Sequence, residues 1–112
     1  MEIKFEIKKE ETKFYKVELY LGDKKIGRAF LYIIKNDLHK EPYGLLEDLY
    51  VEEEFRGKGF GKMLVQKILE IAKEENCYKI IATSRFNREY VHSFYEKLGF
   101  IKWGYEFRKD LK

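Results

Sequence analysis

The stretch Gly44-Leu45-Leu46-Glu47-Asp48-Leu49-Tyr50-Val51-Glu52-Glu53-Glu54-Phe55-Arg56-Gly57-Lys58-Gly59-Phe60-Gly61-Lys62-Met63-Leu64 changes its pattern twice, and those changes decide the fold. Residues 45–51 are dense in Leu, Tyr and Val, as a strand is. An acidic run, Glu52-Glu53-Glu54, follows, and then three glycines at alternate positions. Beyond them Phe60, Leu64, Ile68, Ile71 and Ala72 recur at helical spacing, with Lys62, Gln66, Lys67, Glu70 and Lys73 on the opposite side. The reading is strand, glycine loop, helix. Asn76 is placed to end that helix in a left-handed conformation, and residues 78–83 read as a further buried strand. A strand–helix–strand unit of this kind sets its two strands parallel with a right-handed crossover.

Upstream, Ile3, Phe5 and Ile7 alternate with Glu2, Lys4, Glu6 and Lys8, which predicts a half-buried strand. Tyr15, Val17, Leu19 and Leu21 repeat the pattern against Lys16 and Glu18. Gly22-Asp23-Lys24-Lys25 then turns the chain into residues 26–34, which are apolar on both faces. Downstream, Val91, Phe94, Tyr95 and Leu98 form one stripe of a second helix, with Asn87 as the expected cap and Gly99 as the stop. Residues 100–107 read as a last strand, bent at Gly104. The predicted order is β-β-β-β-α-β-α-β. The fold class is α/β, a mixed sheet in one domain spanning residues 1–112.

Composition narrows the function. A chain of 112 residues supports one domain, expected to bury over about 60% of its unfolded surface. Hydrophobic residues make up 45% and aromatics 17%, enough for a packed core. The longest apolar run is the six residues 29–34, too short to span a membrane, and the first residues lack the layout of a signal peptide. The lone Cys77 forms no internal disulfide and suits a reducing, cytoplasmic location. A net charge of +3 is ordinary solubility and does not by itself call for nucleic acid. His39, His92 and Cys77 have no metal-ligand spacing, so no metal is expected.

A strand running through a glycine turn into a helix start presents free N–H groups and the positive end of a helix dipole, and such a place binds phosphate. Side chains at Gly57, Gly59 or Gly61 would hold the anion away from the amides. The P-loop pattern fails, because Arg56 stands where its first glycine belongs and Met63 where its Ser or Thr belongs. A dinucleotide fingerprint fails at Lys62. An RNA-binding aromatic–glycine motif would continue as a strand, whereas Leu64, Ile68 and Ile71 continue as a helix. What survives is Arg-x-x-Gly-x-Gly.

That pattern, on this element order, resembles the GNAT superfamily of N-acetyltransferases. Three separated pieces carry the resemblance: Leu46-Glu47-Asp48-Leu49-Tyr50-Val51, Arg56-Gly57-Lys58-Gly59-Phe60-Gly61, and Ser93-Phe94-Tyr95-Glu96-Lys97-Leu98-Gly99-Phe100. The Leu-Glu-Asp strand and residues 103–107 look most like the spermidine/spermine acetyltransferase branch. The resemblance implies acetyl-CoA as co-substrate and direct attack by a primary amine. It implies cofactor contacts from Leu49, Tyr50 and Val51, from Arg56, Gly57, Lys58, Gly59, Phe60, Gly61 and Lys62, and from Asn87. It also implies Glu47 as the base that deprotonates the amine, and Tyr95 as the general acid that protonates the departing thiolate. Strand geometry sets Leu46, Asp48 and Tyr50 on one face and Glu47, Leu49 and Val51 on the other.

The chain departs from that family's pattern between its first two strands, where residues 8–13 leave no room for the usual helices. This opens one side of the acceptor groove, and suits a wide acceptor range, a macromolecular amine, or a homodimer whose partner covers the gap. Asn87 also lies eight residues before Tyr95, where the family asparagine lies seven before it, and Arg88 takes that place. Two rivals remain at this level: an acyl-CoA-binding module without catalysis, and an RNA-binding module using the basic loop. The expected partners are acetyl-CoA and an amine acceptor, with no nucleic acid and no membrane.

Overall fold

The computed structural model describes residues 1–112. Strand β1 (Phe14–Leu21) turns at Gly22, whose φ of 62° suits glycine, into β2 (Lys24–Ile34). A loop leads to β3 (Tyr43–Val51), a 3-10 turn (Glu53–Phe55) and helix α1 (Phe60–Glu74). The short β4 (Ile80–Ala82) and helix α2 (Glu89–Lys97) complete the order. The strands form one sheet in sequence order, with β1·β2 and β2·β3 antiparallel and β3·β4 parallel.

Alternation along β2 sends Ala29, Leu31 and Ile33 to one face, where they meet Leu46 of β3 and Leu64, Val65, Ile68 and Ala72 of α1. This is the core. On the other face Phe14 stacks on Tyr32 at 5.1 Å and Phe30 lies 6.3 Å from Tyr32, an aromatic ladder across β1 and β2. That ladder is why residues 26–34 read as apolar on both sides.

Both helices stop as their sequences predict. Asn76 has φ 62°, its N–H donates to the Lys73 carbonyl and the Cys77 N–H to that of Ala72. Gly99 has φ 94°, with its own N–H on Glu96 and the Phe100 N–H on Tyr95. Each is a left-handed stop that satisfies the last carbonyls. The start of α2 differs from expectation. Its N-cap residue is Arg88, with no side-chain cap, and Asn87 sits one place outside the helix.

The fold class stands, but the first and last expected strands are not formed. Residues 1–13 and 101–112 have no regular structure and are exposed throughout. Ile3, Phe5 and Ile7 keep their alternation yet pair with nothing, and the same holds for Ile101, Trp103, Tyr105 and Phe107. An alternating pattern supplies an apolar face, and a strand also needs a neighbour for its N–H and C=O groups. The expected burial falls short for the same reason. The accessible surface is 9910 Å², about half that of the unfolded chain, where a compact monomer of 13.6 kDa exposes roughly 6,600 Å². No helix is long and apolar enough to cross a membrane.

Candidate active site

The site begins where the sheet comes apart. β4 pairs with β3 only at Gly44, Leu45 and Leu46, so residues 47–51 of β3 have no strand on that side. On the other side the ladder with β2 jumps from Phe30–Glu47 to Arg28–Tyr50 and leaves Asp48 and Leu49 without partners. Asp48 stands at φ 53° in this bulge. A non-glycine residue at positive φ is uncommon, and Asp tolerates it better than most because its short side chain bonds locally. Here the carboxylate receives the Arg28 guanidinium at 3.0 and 3.3 Å.

The bulge corrects the face assignment made from strand alternation. Leu46 is buried against α1, and Leu49 and Val51 pack on the same core. A Cβ built on Gly27 meets both Leu64 of α1 and Val51, which fixes the side Val51 faces. The extra residue at Asp48 shifts the register of sides, so Leu46, Leu49 and Val51 share one face rather than lying on opposite ones. Tyr50 instead has Arg28 over its ring at 4.7 Å and Arg56 at 5.2 Å. These two cation–π contacts and the bulge were not foreseen. The adjacent acids Glu47-Asp48 in a strand were the only sequence signal for the bulge.

Past β3 the Arg56 Nε–H donates to the Val51 carbonyl at 2.7 Å, which folds the loop back on the strand end. Gly57 and Gly59 have φ of 76° and 89°, conformations open to glycine at little cost. Nothing lies within 4 Å of where their Cβ atoms would be, so backbone conformation, and not crowding by the protein, requires glycine there. Gly61 differs: it is helical, and a Cβ on it would touch the Phe94 ring of α2 at 3.5 Å. The first N–H of this turn to find a backbone acceptor is that of Met63, on Gly59. The N–H groups of residues 57–62 have none, and no side chain caps α1. Six consecutive amides, two of them those of Lys58 and Lys62, surround the helix start, and Arg56 stands just before them. Such a cradle fits a pyrophosphate.

Tyr95 reaches the other wall of the gap. Its ring packs on the core between Phe94 and Phe100, with centroids 5.3 and 5.2 Å away. Burial, with a smaller contribution from the Glu47 carboxylate, pushes its hydroxyl up to about 12. The structure thus brings Glu47 and Tyr95, 48 positions apart in sequence, into electrostatic reach of each other. The hydroxyl is not among the buried groups left without a partner, so it still reaches solvent and is not a sequestered structural donor. Asn87 contributes no hydrogen bond to the cap of α2. No cluster of three His, Cys, Asp or Glu side chains gathers that would hold a metal ion.

A family model for the GNAT acetyltransferases matches residues 1–100. The chain belongs to the GNAT acetyltransferase family. GNAT acetyltransferases use acetyl-CoA. A glucosamine 6-phosphate N-acetyltransferase of Trypanosoma brucei brucei is 41% identical over 68 residues, 61% of this chain and 44% of that protein. An N-alpha-acetyltransferase 30 of Schizosaccharomyces pombe is 31% identical over 84 residues, 73% of this chain and 54% of that one. Among solved structures, a putative acetyltransferase of Agrobacterium tumefaciens superposes with a TM-score of 0.78 at 30% identity, covering 86% of this chain and 69% of its own. The chain spans about half the length, or less, of the two curated relatives named here.

Proposed function

We propose that this domain transfers the acetyl group of acetyl-CoA to a primary amine by direct attack. The observation that carries the reading is the run of six unbonded amides at residues 57–62, opening onto the unpaired half of β3 with Glu47 and Tyr95 beside it. The amides of residues 57–62 and the side chains of Arg56, Lys58 and Lys62 hold the pyrophosphate. Residues 49–51, free of a strand on the β4 side, bond the pantetheine arm, and an amide there stabilises the carbonyl oxygen as it gains negative charge. Asn87, next to the N-cap of α2, adds a side-chain contact to the cofactor.

Glu47 takes a proton from the ammonium form of the acceptor, directly or through water. The amine nitrogen then bonds to the thioester carbon and the carbon–sulfur bond breaks. Tyr95 gives its phenolic proton to the departing sulfur, where an unprotonated thiolate in a partly dry cleft is costly, and the phenolate takes back the surplus proton that the acylated nitrogen sheds as it becomes the amide, directly or through water. With its pKa pushed to about 12, Tyr95 holds that proton at any working pH. One relative is named for N-acetylation of glucosamine 6-phosphate and another as an N-alpha-acetyltransferase, and both names put the acetyl group on a nitrogen. Residues 8–13 form no helix and leave one side of the acceptor groove uncovered, which favours a bulky acceptor or a second copy at that side. The same cytoplasm that keeps Cys77 reduced supplies acetyl-CoA.

Thiol release from acetyl-CoA, measured against a panel of sugar amines, polyamines and peptides, tests the reading. Turnover with at least one primary amine, lost in Glu47→Gln, is expected. Tight binding of acetyl-CoA by calorimetry with no turnover on any amine would leave only the binding-module alternative.

A further inference from the structure

Residues 2–8 are the most regular unpaired segment of the molecule. Ile3, Phe5 and Ile7 are 81, 84 and 90% exposed, and Glu2, Lys4, Glu6 and Lys8 alternate in sign on the other side. The protein exposes roughly 3,300 Å² more surface than a compact monomer of its mass, and this segment is part of that excess. Large apolar side chains exposed together mark an interaction surface.

We infer that residues 2–8 pair antiparallel with the same residues of a second copy, about a two-fold axis through Phe5. In that register each residue faces the one whose number makes ten with its own. Glu2 then meets Lys8, Lys4 meets Glu6, Ile3 meets Ile7 and Phe5 meets Phe5, and the symmetry doubles every unlike pair into four cross-strand ion pairs. Opposite charges directly across an antiparallel pair stabilise it and like charges destabilise it. A slip of two residues either way sets Glu against Glu and Lys against Lys. A slip of one residue sets the apolar face against the charged one. A parallel in-register pair stacks like charges along its whole length. A slip of four restores unlike charges but pairs only three residues of each copy, so one register satisfies both faces over the whole segment, and like any antiparallel pairing of a segment with itself it is two-fold symmetric. Six apolar side chains and four ion pairs make a contact at the small end of specific interfaces, so the dimer dissociates in the micromolar range.

The test uses the full chain and two charge variants at exposed positions, where the folded domain is not at risk. One is Lys4→Glu with Lys8→Glu, which makes the segment all acidic. The other is Glu2→Lys with Glu6→Lys, which makes it all basic. Sedimentation at about 100 µM is expected to show a dimer for the natural chain, a monomer for each variant alone, and a mixed dimer when the two are combined. A natural chain that stays monomeric overturns the inference, as it would if residues 2–8 paired with the edge of their own β1. Variants that remain dimers alone also overturn it, because the contact would then lie elsewhere. Variants that stay monomeric when mixed overturn the register. None of these outcomes bears on acetyl transfer, which is assayed separately.

Discussion

β3 is one strand with two environments. Residues 44–46 pair with β4 on one side and β2 on the other, and a Cβ on Gly44 would lie 2.9 Å from the Leu31 side chain. Residues 47–51 have no neighbour on the β4 side and a broken ladder on the β2 side, with Asp48 at positive φ. The first half has a strand on each side and is packed tight. The second half leaves backbone groups unpaired and collects Glu47, the glycine loop and Tyr95 around them. On the proposed mechanism, stability rests on the first half and chemistry on the second, and substitutions in the two halves should fail in different ways.

The largest effect belongs to the open half. Tyr95→Phe keeps the ring between Phe94 and Phe100 and removes only the hydroxyl, so kcat should fall by about 10²–10⁴-fold while acetyl-CoA affinity and melting temperature hold. Because burial raises the pKa to about 12, Tyr95 should impose no alkaline limb on the rate below about pH 11. The sign for stability runs the same way: the neutral hydroxyl is fully present below its ordinary pKa near 10, and stability is lost as pH rises from there through the folded value. A kcat unchanged in the folded variant would remove Tyr95 from the chemistry.

The paired half should answer oppositely. Leu46 is 2% exposed, and Leu46→Ala should cost roughly 2–5 kcal/mol of stability through lost transfer energy and a residual cavity. Denaturant unfolding measures that loss, and kcat per folded molecule should stay near the natural value. If activity fell with stability spared, the two halves would not be separable. Gly59→Ala, at the loop, should show the inverse signature. Its Cβ meets no protein atom within 4 Å and stands in open space beside the free amides. The φ of 89° costs an L-residue about 1–2 kcal/mol, less than the loss expected for Leu46→Ala. Acetyl-CoA affinity should drop by about ten- to a hundredfold, the loss of one or so charge-assisted hydrogen bonds as the methyl pushes a phosphate outward. Unchanged affinity by calorimetry in the folded variant would place the phosphates elsewhere.

The elements legible from sequence were those whose signal is local. Helix α1, its stop at Asn76, the stop at Gly99 and the glycine loop all follow from spacing and from residues that suit positive φ. The parallel β3–α1–β4 unit follows from chain order. What was missed depends on partners. The terminal segments alternate as cleanly as β1, and they remain unpaired because alternation does not say what lies alongside. The bulge was missed because it arises from a mismatch between β2 and β3, and it turned Leu49 and Val51 to the core side against the simple count. Glu47 and Tyr95 were picked out by resemblance, and only the fold puts the carboxylate within reach of the phenol.

The smallest expected effect tests whether the bulge itself matters. Asp48→Gly relieves an L-residue of a left-handed conformation, worth up to about 1–2 kcal/mol and less for Asp than for most. Against this stand the entropy of a glycine in a strand, about 0.5–1 kcal/mol, and an exposed ion pair with Arg28 worth no more than about 1 kcal/mol. The terms nearly cancel, so stability should move by less than about 1 kcal/mol, and activity should be kept because the bulge survives. Asp48→Val carries the full cost, since a β-branched residue resists positive φ, and the chain relieves the strain by flattening the bulge. Flattening would turn Leu49 and Val51 away from α1 and close the gap in the ladder where the carbonyl-binding amide is expected. Asp48→Val should therefore lose both stability and kcat, with Asp48→Gly near the natural protein in both. Equal losses in the two variants would assign the effect to the missing carboxylate and its hold on Arg28, and the open half of β3 would then owe its shape to that ion pair and not to the extra residue.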